Sequence, residues 1–579
     1  MILLRDVIDD VDVVRSSFMY QAMLSMGYAK PAFLLEPKGV VYTKPWVVEL
    51  LLDLAGYSAR LDLVDALAIE PAAGEGAFLV PMAQRLMSSC LRQNRPLLDC
   101  EASLIAYELE EHSATTARNS VVDALNAMNV PQSISVKLAA AWVRTGDYLF
   151  DAARLPGADY VIGNPPYIRL EDIPSETAAL YRAGYPTMRG RADLYIAFFE
   201  AALRQLKGNG VCAYICADRW MLNQYGAELR RLVTKRFAVE TIVEMHNANA
   251  FHDDVSAYPA ATIIRRGSQK RAVVASAGPA AEFASGSSLA TYLKSAALGE
   301  EGPPLEGLTS VVVESWFSGS DPWPCGSPTR MALLRRLEDR FEPLESASTG
   351  THVGIGVATG LDDVFITKDE NCVENTRLLP LAMAQDTVTG HFKWSGHTLV
   401  NPWDADGLVD LNGFPRLSSY LGKHRDRIQK RHTARRNPNG WYRTIDRVDL
   451  ALTEKPKLYV PDIKDRFNPV LDRGETYPHH NLYFIISDRW NLEVLGGLLL
   501  SSIGQLFIEM YGVRMRGGYL RFQAQYLRRV RVPSPDSISA AQAEGLIQAF
   551  RERDRIRATE LALEIYQVEK AEMESAHRY

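Results

Sequence analysis

Between about Val40 and Arg266, short apolar runs alternate with longer stretches in which apolar positions recur every three or four residues. That alternation is the pattern of strands and amphipathic helices in a parallel α/β sheet. The strands it predicts are Ala66–Glu70, Ser103–Glu108, Trp142–Thr145, Tyr160–Ile162, Gly210–Ile215, Val239–Glu244 and Ala261–Arg265. Helices are predicted over Pro45–Ala55, Ala77–Cys90, Ser113–Met128, Asp193–Leu206 and Gln224–Arg236. The fold class expected is a doubly wound, Rossmann-like α/β sheet over residues 31–270, preceded by an amino-terminal arm over 1–30. Beyond Arg266 the pattern loosens into Gly-, Ala- and Ser-rich sequence, and the turn-dense segment Ser318–Pro328 marks a domain junction. Residues 271–345 are therefore read as a linker with a connecting helix, and 346–535 as a second, mixed α+β domain. The uncharged run Val494–Phe507 is too short to span a membrane and reads as a buried helix. A terminal amphipathic helix is expected over 536–579, where Leu546, Ile547, Phe550, Ile556, Leu561, Leu563 and Ile565 recur among charges.

Composition narrows the class. With 47% hydrophobic and 23% charged residues, the 579-residue chain is that of a folded protein with more than one core. No export signal is expected, because Asp9, Asp10 and Asp12 interrupt the amino terminus. The six cysteines (90, 100, 212, 216, 325, 372) form no CxxC pair and have no histidine at ligand spacing. Neither a disulfide framework nor a metal site is expected from them, and a cytoplasmic setting fits. A net charge of -6 excludes a general polycation, yet basic residues gather in two places. One group contains Lys423, Arg425, Arg427, Lys430, Arg431, Arg435 and Arg436; the other contains Arg514, Arg516, Arg521, Arg528, Arg529 and Arg531. Local clustering of this kind, interleaved with Trp441, Tyr442, Tyr519 and Phe522, suits contact with nucleic-acid phosphates.

The candidate chemistry sits at strand ends. Glu70-Pro-Ala72-Ala-Gly74-Glu-Gly76 is a tight turn between a strand and a helix, without the third glycine of a dinucleotide fingerprint or the Gly-Lys-Ser/Thr of a P-loop. Glu108 ends the next strand, where a ribose diol is held in such sheets, and Asp147 with Tyr148 follows the third. Then comes Tyr160-Val-Ile-Gly-Asn164-Pro165-Pro166-Tyr167, an apolar strand running into a turn stiffened by two prolines. An exocyclic aromatic amine is a poor nucleophile while its lone pair is delocalised. Acceptance of its two protons by the Asn164 amide oxygen and the Pro165 carbonyl would free that lone pair. Tyr167 offers a face on which an extruded base can stack.

These residues together resemble the gamma-class N6-adenine DNA methyltransferases of type II restriction–modification systems, with TaqI-type enzymes the nearest group. The similarity extends to Gly39-Val-Val-Tyr-Thr43-Lys-Pro-Trp46, which looks like that family's motif X, and to Asp193–Phe199 and Gly208–Ile215. It implies a class I methyltransferase fold in which Thr43, Glu70, Ala72, Gly74, Glu108, Leu109, Asp147, Tyr148 and Phe198 bind S-adenosyl-L-methionine. Asn164, Pro165, Pro166 and Tyr167 would be catalytic. Phe251, resembling the aromatic of motif VIII, would hold a flipped adenine, with Tyr258 as a rival. The carboxyl half resembles the target-recognition region through Val353–Phe365, Lys455–Asp462 and Arg528–Pro535. The implied partners are double-stranded DNA and, functionally, a cognate restriction endonuclease; the implied location is the cytoplasm, at the nucleoid. Asn-Pro-Pro-Tyr also serves methyltransferases acting on RNA or on protein glutamine, and the domain order favours DNA over both. A combined nuclease–methyltransferase is the other alternative. Its expectation is weakened by the short stretch ahead of Gly39 and by Pro461-Asp462-Ile463-Lys464, which only faintly echoes a nuclease signature.

Overall fold

The computed structural model describes residues 42–252, 258–283, 285–300, 305–314, 316–326, 328–512 and 519–577. The expected arm 1–30, the start of the motif X segment (39–41), Asp253, Asp254, Arg514 and Arg516 lie outside them. The chain divides into two compact units, Met1–Pro328 and Thr329–Tyr579.

The first unit is built on a nine-stranded sheet of order β3-β2-β1-β4-β5-β7-β6-β8-β9. Its strands are β1 (Ala68–Glu70), β2 (Leu104–Glu108), β3 (Val143–Thr145), β4 (Ala158–Gly163), β5 (Leu206–Ala217), β6 (Phe237–Glu244), β7 (Pro259–Arg266), β8 (Arg271–Ala277) and β9 (Leu308–Glu314). Strands β3, β2, β1, β4 and β5 run parallel, whereas β7 inserts antiparallel between β5 and β6. The chain reverses direction of winding at β1, so the carboxyl ends of β3, β2, β1 and β4 open side by side onto one crevice. Ligands of doubly wound sheets bind at such a reversal.

Local sequence explains the elements that frame this edge. The helix Pro45–Ala55 starts with proline at its first turn and ends on Gly56 in the left-handed conformation (φ 81°). It buries Trp46, Val47, Val48, Leu50, Leu51 and Leu52 against the sheet. Cys212 and Cys216 are buried within the all-apolar part of β5, as small core hydrophobes.

Three expectations need correction. The segment from 271 to 314 is sheet and helix rather than linker: β8 pairs parallel with β6, β9 pairs antiparallel with β8, and the helix Gly286–Leu298 lies between them. Small residues such as Ala272, Ala275 and Ala277 look like linker composition, yet here their size lets β8 lie buried in the sheet. The run Val494–Phe507 is two helices, Leu492–Leu500 and Ser502–Tyr511, bent by 66°. Ser501 breaks them by accepting the Gly504 N–H with its own side chain. Together the two meet the length and apolarity of a span, but among the described residues no single helix is long and apolar enough to cross a membrane. The expected terminal helix is three: Ala540–Glu552, Arg555–Tyr566 and Lys570–His577. Arg553 (φ 57°) and Gln567 (φ 55°) cap the first two in the left-handed region, and Asp554 caps the start of the second.

The second unit is mixed α+β. It holds a four-stranded sheet of His352–Ile355, Leu482–Ile486, Lys457–Pro461 and Val470–Asp472, all antiparallel. A second four-stranded sheet carries Ile366–Thr367, Thr398–Val400, Leu378–Ala382 and Tyr477–Pro478.

Candidate active site

Register places the candidate side chains. Glu70 pairs with Ala106 across β1 and β2, and Glu108 with Thr145 across β2 and β3. Neighbouring strands lie about 4.8 Å apart, so Asp147, Glu108, Glu70 and Asn164 stand in a row along the edge. A single cavity is lined by twelve of the fourteen residues singled out in the sequence: Thr43, Glu70, Ala72, Gly74, Glu108, Leu109, Asp147, Tyr148, Asn164, Pro165, Pro166 and Phe198. Tyr167 and Phe251 lie beside it.

The turn after β1 wraps one side of this cavity. Gly74 (φ 55°) and Gly76 (φ 105°) take left-handed conformations that other residues adopt only at a cost. Gly74 N–H points back to donate to Glu108 Oε2 at 2.8 Å, and Glu110 N–H donates to Glu108 Oε1 at 2.9 Å. These bonds hold the Glu108 carboxylate in place and hold its pKa down, although burial outweighs them and raises it overall. Glu70 is 1% exposed; its Oε2 is buried with no hydrogen-bond partner among the described residues. Burial, then the nearby Glu108 charge, pushes its carboxyl well above the usual range. A buried acid with an unmet oxygen facing a cavity is complementary to a cation.

At the far end, Asp147 caps the helix Tyr148–Asp151 through Leu149 N–H (2.9 Å) and accepts the Tyr181 hydroxyl at 2.5 Å. Burial raises its pKa to about 6, against the lowering by Tyr181 and the backbone. Tyr148 stacks on Phe198 with centroids 5.8 Å apart and donates its hydroxyl to Gln205 at 2.7 Å. Leu109, 40% exposed, stands at the rim. The cavity thus carries a carboxylate at each of three strand ends and an aromatic wall.

Asn164 follows β4, and its Nδ2 donates to Thr43 Oγ1 at 3.2 Å. The amide plane is thereby fixed. Thr43 in turn forms an antiparallel bridge with Phe251, extended by Lys44 N–H to Ala250 O (2.9 Å) and His252 N–H to Tyr42 O (3.0 Å). The Phe251 ring meets Tyr167 edge to face at 6.3 Å, and the Tyr167 hydroxyl donates to Ile215 O at 3.5 Å. Tyr258, the rival aromatic, instead packs on His246 at 4.9 Å.

Two sequence models match this chain. Residues 108–251 match the Eco57I restriction-modification methylase family, and residues 414–532 match the TaqI-like C-terminal specificity domain. Over 527 residues the chain is 43% identical to the type II methyltransferase M.PaeR7I of Pseudomonas aeruginosa, covering 90% of each. The chain is a type II restriction–modification methyltransferase. It is also 40% identical to the type II methyltransferase M.XhoI of Xanthomonas vasicola, over 93% of this chain and 98% of that one. Among solved structures, the type IIL restriction-modification enzyme MmeI in complex with DNA shares the fold, with a TM-score of 0.51 at 13% identity over 92% of this chain and 72% of that one.

In this methyltransferase the two basic groups differ in how they are used. Arg427 pairs with Asp363, and Arg431 donates to the carbonyls of Thr359, Trp441 and Arg443 while lying over the Phe365 ring. Arg521 pairs with Asp462, Arg528 with Glu345, and Arg529 lies over Tyr511. Asp462, from the faint nuclease echo, is thus occupied by Arg521, and Phe522 N–H donates to its carbonyl. Lys423, Lys430, Arg435 and Arg436 are exposed and make no ion pair among the described residues. Two features of the site escape sequence reasoning. Tyr181 lines the cavity and bonds Asp147 but belongs to no motif, so nothing in its spacing marks it. Thr43 reads in the sequence as a cofactor contact alone, and its bond to Asn164 depends on the fold bringing together positions 121 residues apart.

Proposed function

We propose that the enzyme methylates N6 of adenine within a specific sequence of duplex DNA, with S-adenosyl-L-methionine as donor, and so protects that sequence from a cognate restriction endonuclease. The observation that carries the reading is the Asn164–Tyr167 turn at the cavity edge, its amide held by Thr43.

The cavity fits the donor. Glu70, with its unmet oxygen, would face the ammonium group, Glu108 would accept from the ribose hydroxyls and Asp147 from the adenine amino group. Ala72 and Gly74 let the backbone approach, while Leu109, Tyr148 and Phe198 enclose the rings apolarly. When bound, the donor supplies a methyl group on a positively charged sulfur. The chain's own task is to prepare the acceptor. Asn164 Oδ1 and the Pro165 carbonyl accept the two N6 protons, which turns the nitrogen lone pair out of conjugation. Pro165 and Pro166 keep those acceptors from relaxing. Tyr167, backed by Phe251, gives the base rotated out of the duplex a surface to stack on. Lys423, Lys430, Arg435 and Arg436 would contact the phosphates of the duplex.

Expression in a methylation-deficient host, followed by genome-wide mapping of modified bases, tests this. N6-methyladenine at one defined sequence is expected. Methylated cytosine, or transfer to RNA or glutamine peptides with none to duplex DNA, would overturn it.

A further inference from the structure

In the second unit, Asp362, His479 and His480 stand together although Asp362 is far from the histidines in the sequence, and one ligand atom from each lies within 4.8 Å of the other two. The fold forces the meeting. His479 and His480 follow the strand Tyr477–Pro478 and precede Leu482–Ile486. His479 N–H donates to Ala382 O and His480 N–H to Val357 O, both at 3.0 Å, while Val357 and His479 form a parallel bridge. That docks the segment carrying Thr359 and Asp362 alongside the histidine pair. Asp362 opens the short helix Asp362–Phe365, and the Thr359 hydroxyl donates to its Oδ1.

The second observation is the state of His479. It is 3% exposed, yet its ring nitrogens meet Asp362 and Asn481 without a well-aligned hydrogen bond. Buried imidazoles ordinarily satisfy at least one ring nitrogen. Nε2 lies 3.3 Å from Asp362 Oδ2 without hydrogen-bond alignment. Two ligands at about 2.0–2.1 Å from a tetrahedral ion stand about 3.3 Å apart, so this edge already has the spacing of a coordination polyhedron. Asn481 Oδ1, also buried, stands beside His479 without a well-aligned hydrogen bond. The two imidazole rings lie with centroids 4.0 Å apart, so that one ion can meet a nitrogen of each.

We propose that Asp362, His479 and His480 bind one divalent transition-metal ion, of which Zn2+ best suits the ligand set. Two imidazoles and one carboxylate favour Zn2+, Co2+ or Ni2+ over Mg2+ or Ca2+, which take all-oxygen shells. Asp362 and His480 are exposed, which gives an ion its route in and leaves a position for water. The ion would brace the segment around Asp362 against the region matched to the specificity domain, which contains both histidines. The other cluster with metal-ligand composition, Asp218, Glu244 and His246, is different in kind, since His246 Nε2 and Asp218 Oδ2 already bond at 2.6 Å.

The test uses the untagged full-length chain, stripped with a chelator and titrated with ZnCl2, CoCl2 and MgCl2. Saturable Zn2+ binding at about one ion per chain, visible Co2+ absorption of a low-symmetry site, and no Mg2+ response are expected. Asp362→Asn and His480→Ala alter exposed side chains, so their circular dichroism should match the parent while Zn2+ affinity falls about tenfold or more. The Zn2+-induced rise in unfolding temperature should vanish in both. Absence of saturable Zn2+ or Co2+ binding would overturn the proposal. So would binding unchanged in both variants, or binding abolished by His246→Ala.

Discussion

Asn164 is held from two sides, by the rigid prolines that follow it and by the Thr43 hydroxyl. Its replacement should therefore cost catalysis rather than binding. Asn164→Ala is expected to lower kcat by about a hundredfold or more, with little change in donor affinity measured by calorimetry; retained turnover would remove the acceptor role. Asp147 makes a separate prediction. Its carboxyl titrates at about 6 because burial raises it, and only the ionised form accepts from an amino group with both oxygens. Donor affinity should thus be full above pH 7 and weaken about tenfold for each pH unit below about 6. The Tyr181 hydroxyl holds that pKa down, so Tyr181→Phe should move the midpoint upward; an unmoved midpoint would place the titration elsewhere. The turns that bring the motif residues to the cavity are legible in the sequence because turn chemistry is local. Tyr181 is not, since its only signature is a side chain crossing from a helix 34 positions away.

At the level of elements, the seven strands and five helices expected over the first 266 residues fall close to those observed, because alternation and caps are properties of adjacent residues. The misreadings have two causes. Whether Ala272–Ala277 forms a strand depends on β6 and β9 being there to pair with it, whereas the breaks at Ser501 and at Arg553–Asp554 are local caps that an apolar periodicity passes over. The pair Gly496–Gly497 shows how closely the helices so defined then pack. A Cβ at 496 would fall 2.4 Å from the Phe550 ring, and one at 497 would fall 2.7 Å from Leu546 O, so the helices Leu492–Leu500 and Ala540–Glu552 touch through bare backbone. Gly497→Ala should destabilise the second unit by about 1–3 kcal/mol through overpacking. Gly422→Ala, in the helix Pro415–Lys423 with nothing near its added methyl, should stabilise it by about 0.4–1 kcal/mol. Denaturant unfolding of both variants checks the contrast, and equal signs would refute it.

For the whole molecule, net charge says less than placement. On the proposed reading, an acidic chain would present its DNA-facing charge on the few basic side chains that the fold leaves unpaired, whereas Arg427, Arg431, Arg521 and Arg528 are engaged within the second unit. Sequence clustering could not separate the two groups, because ion pairing with Asp363, Asp462 or Glu345 appears only on folding. Replacing Lys430, Arg435 and Arg436 by alanine should reduce the slope of log K against log salt by about 0.9 for each phosphate that is no longer neutralised, with protein stability unchanged. Arg521→Ala should instead lower stability, as its partner Asp462 is left uncompensated. A salt slope unaltered in the triple variant would move the DNA-binding surface elsewhere.

The bridge between Thr43 and Phe251 joins a wall of the cavity proposed for the donor to the ring that meets Tyr167 edge to face. Whatever steadies one side of that short ladder steadies the other, so the two substrates should report on each other's presence. Thermodynamic reciprocity then sets a numerical condition: the factor by which the reaction's thioether product tightens DNA binding must equal the factor by which DNA tightens binding of that product. Lys44→Pro, which removes the N–H donated to Ala250 O, should bring both factors toward one together.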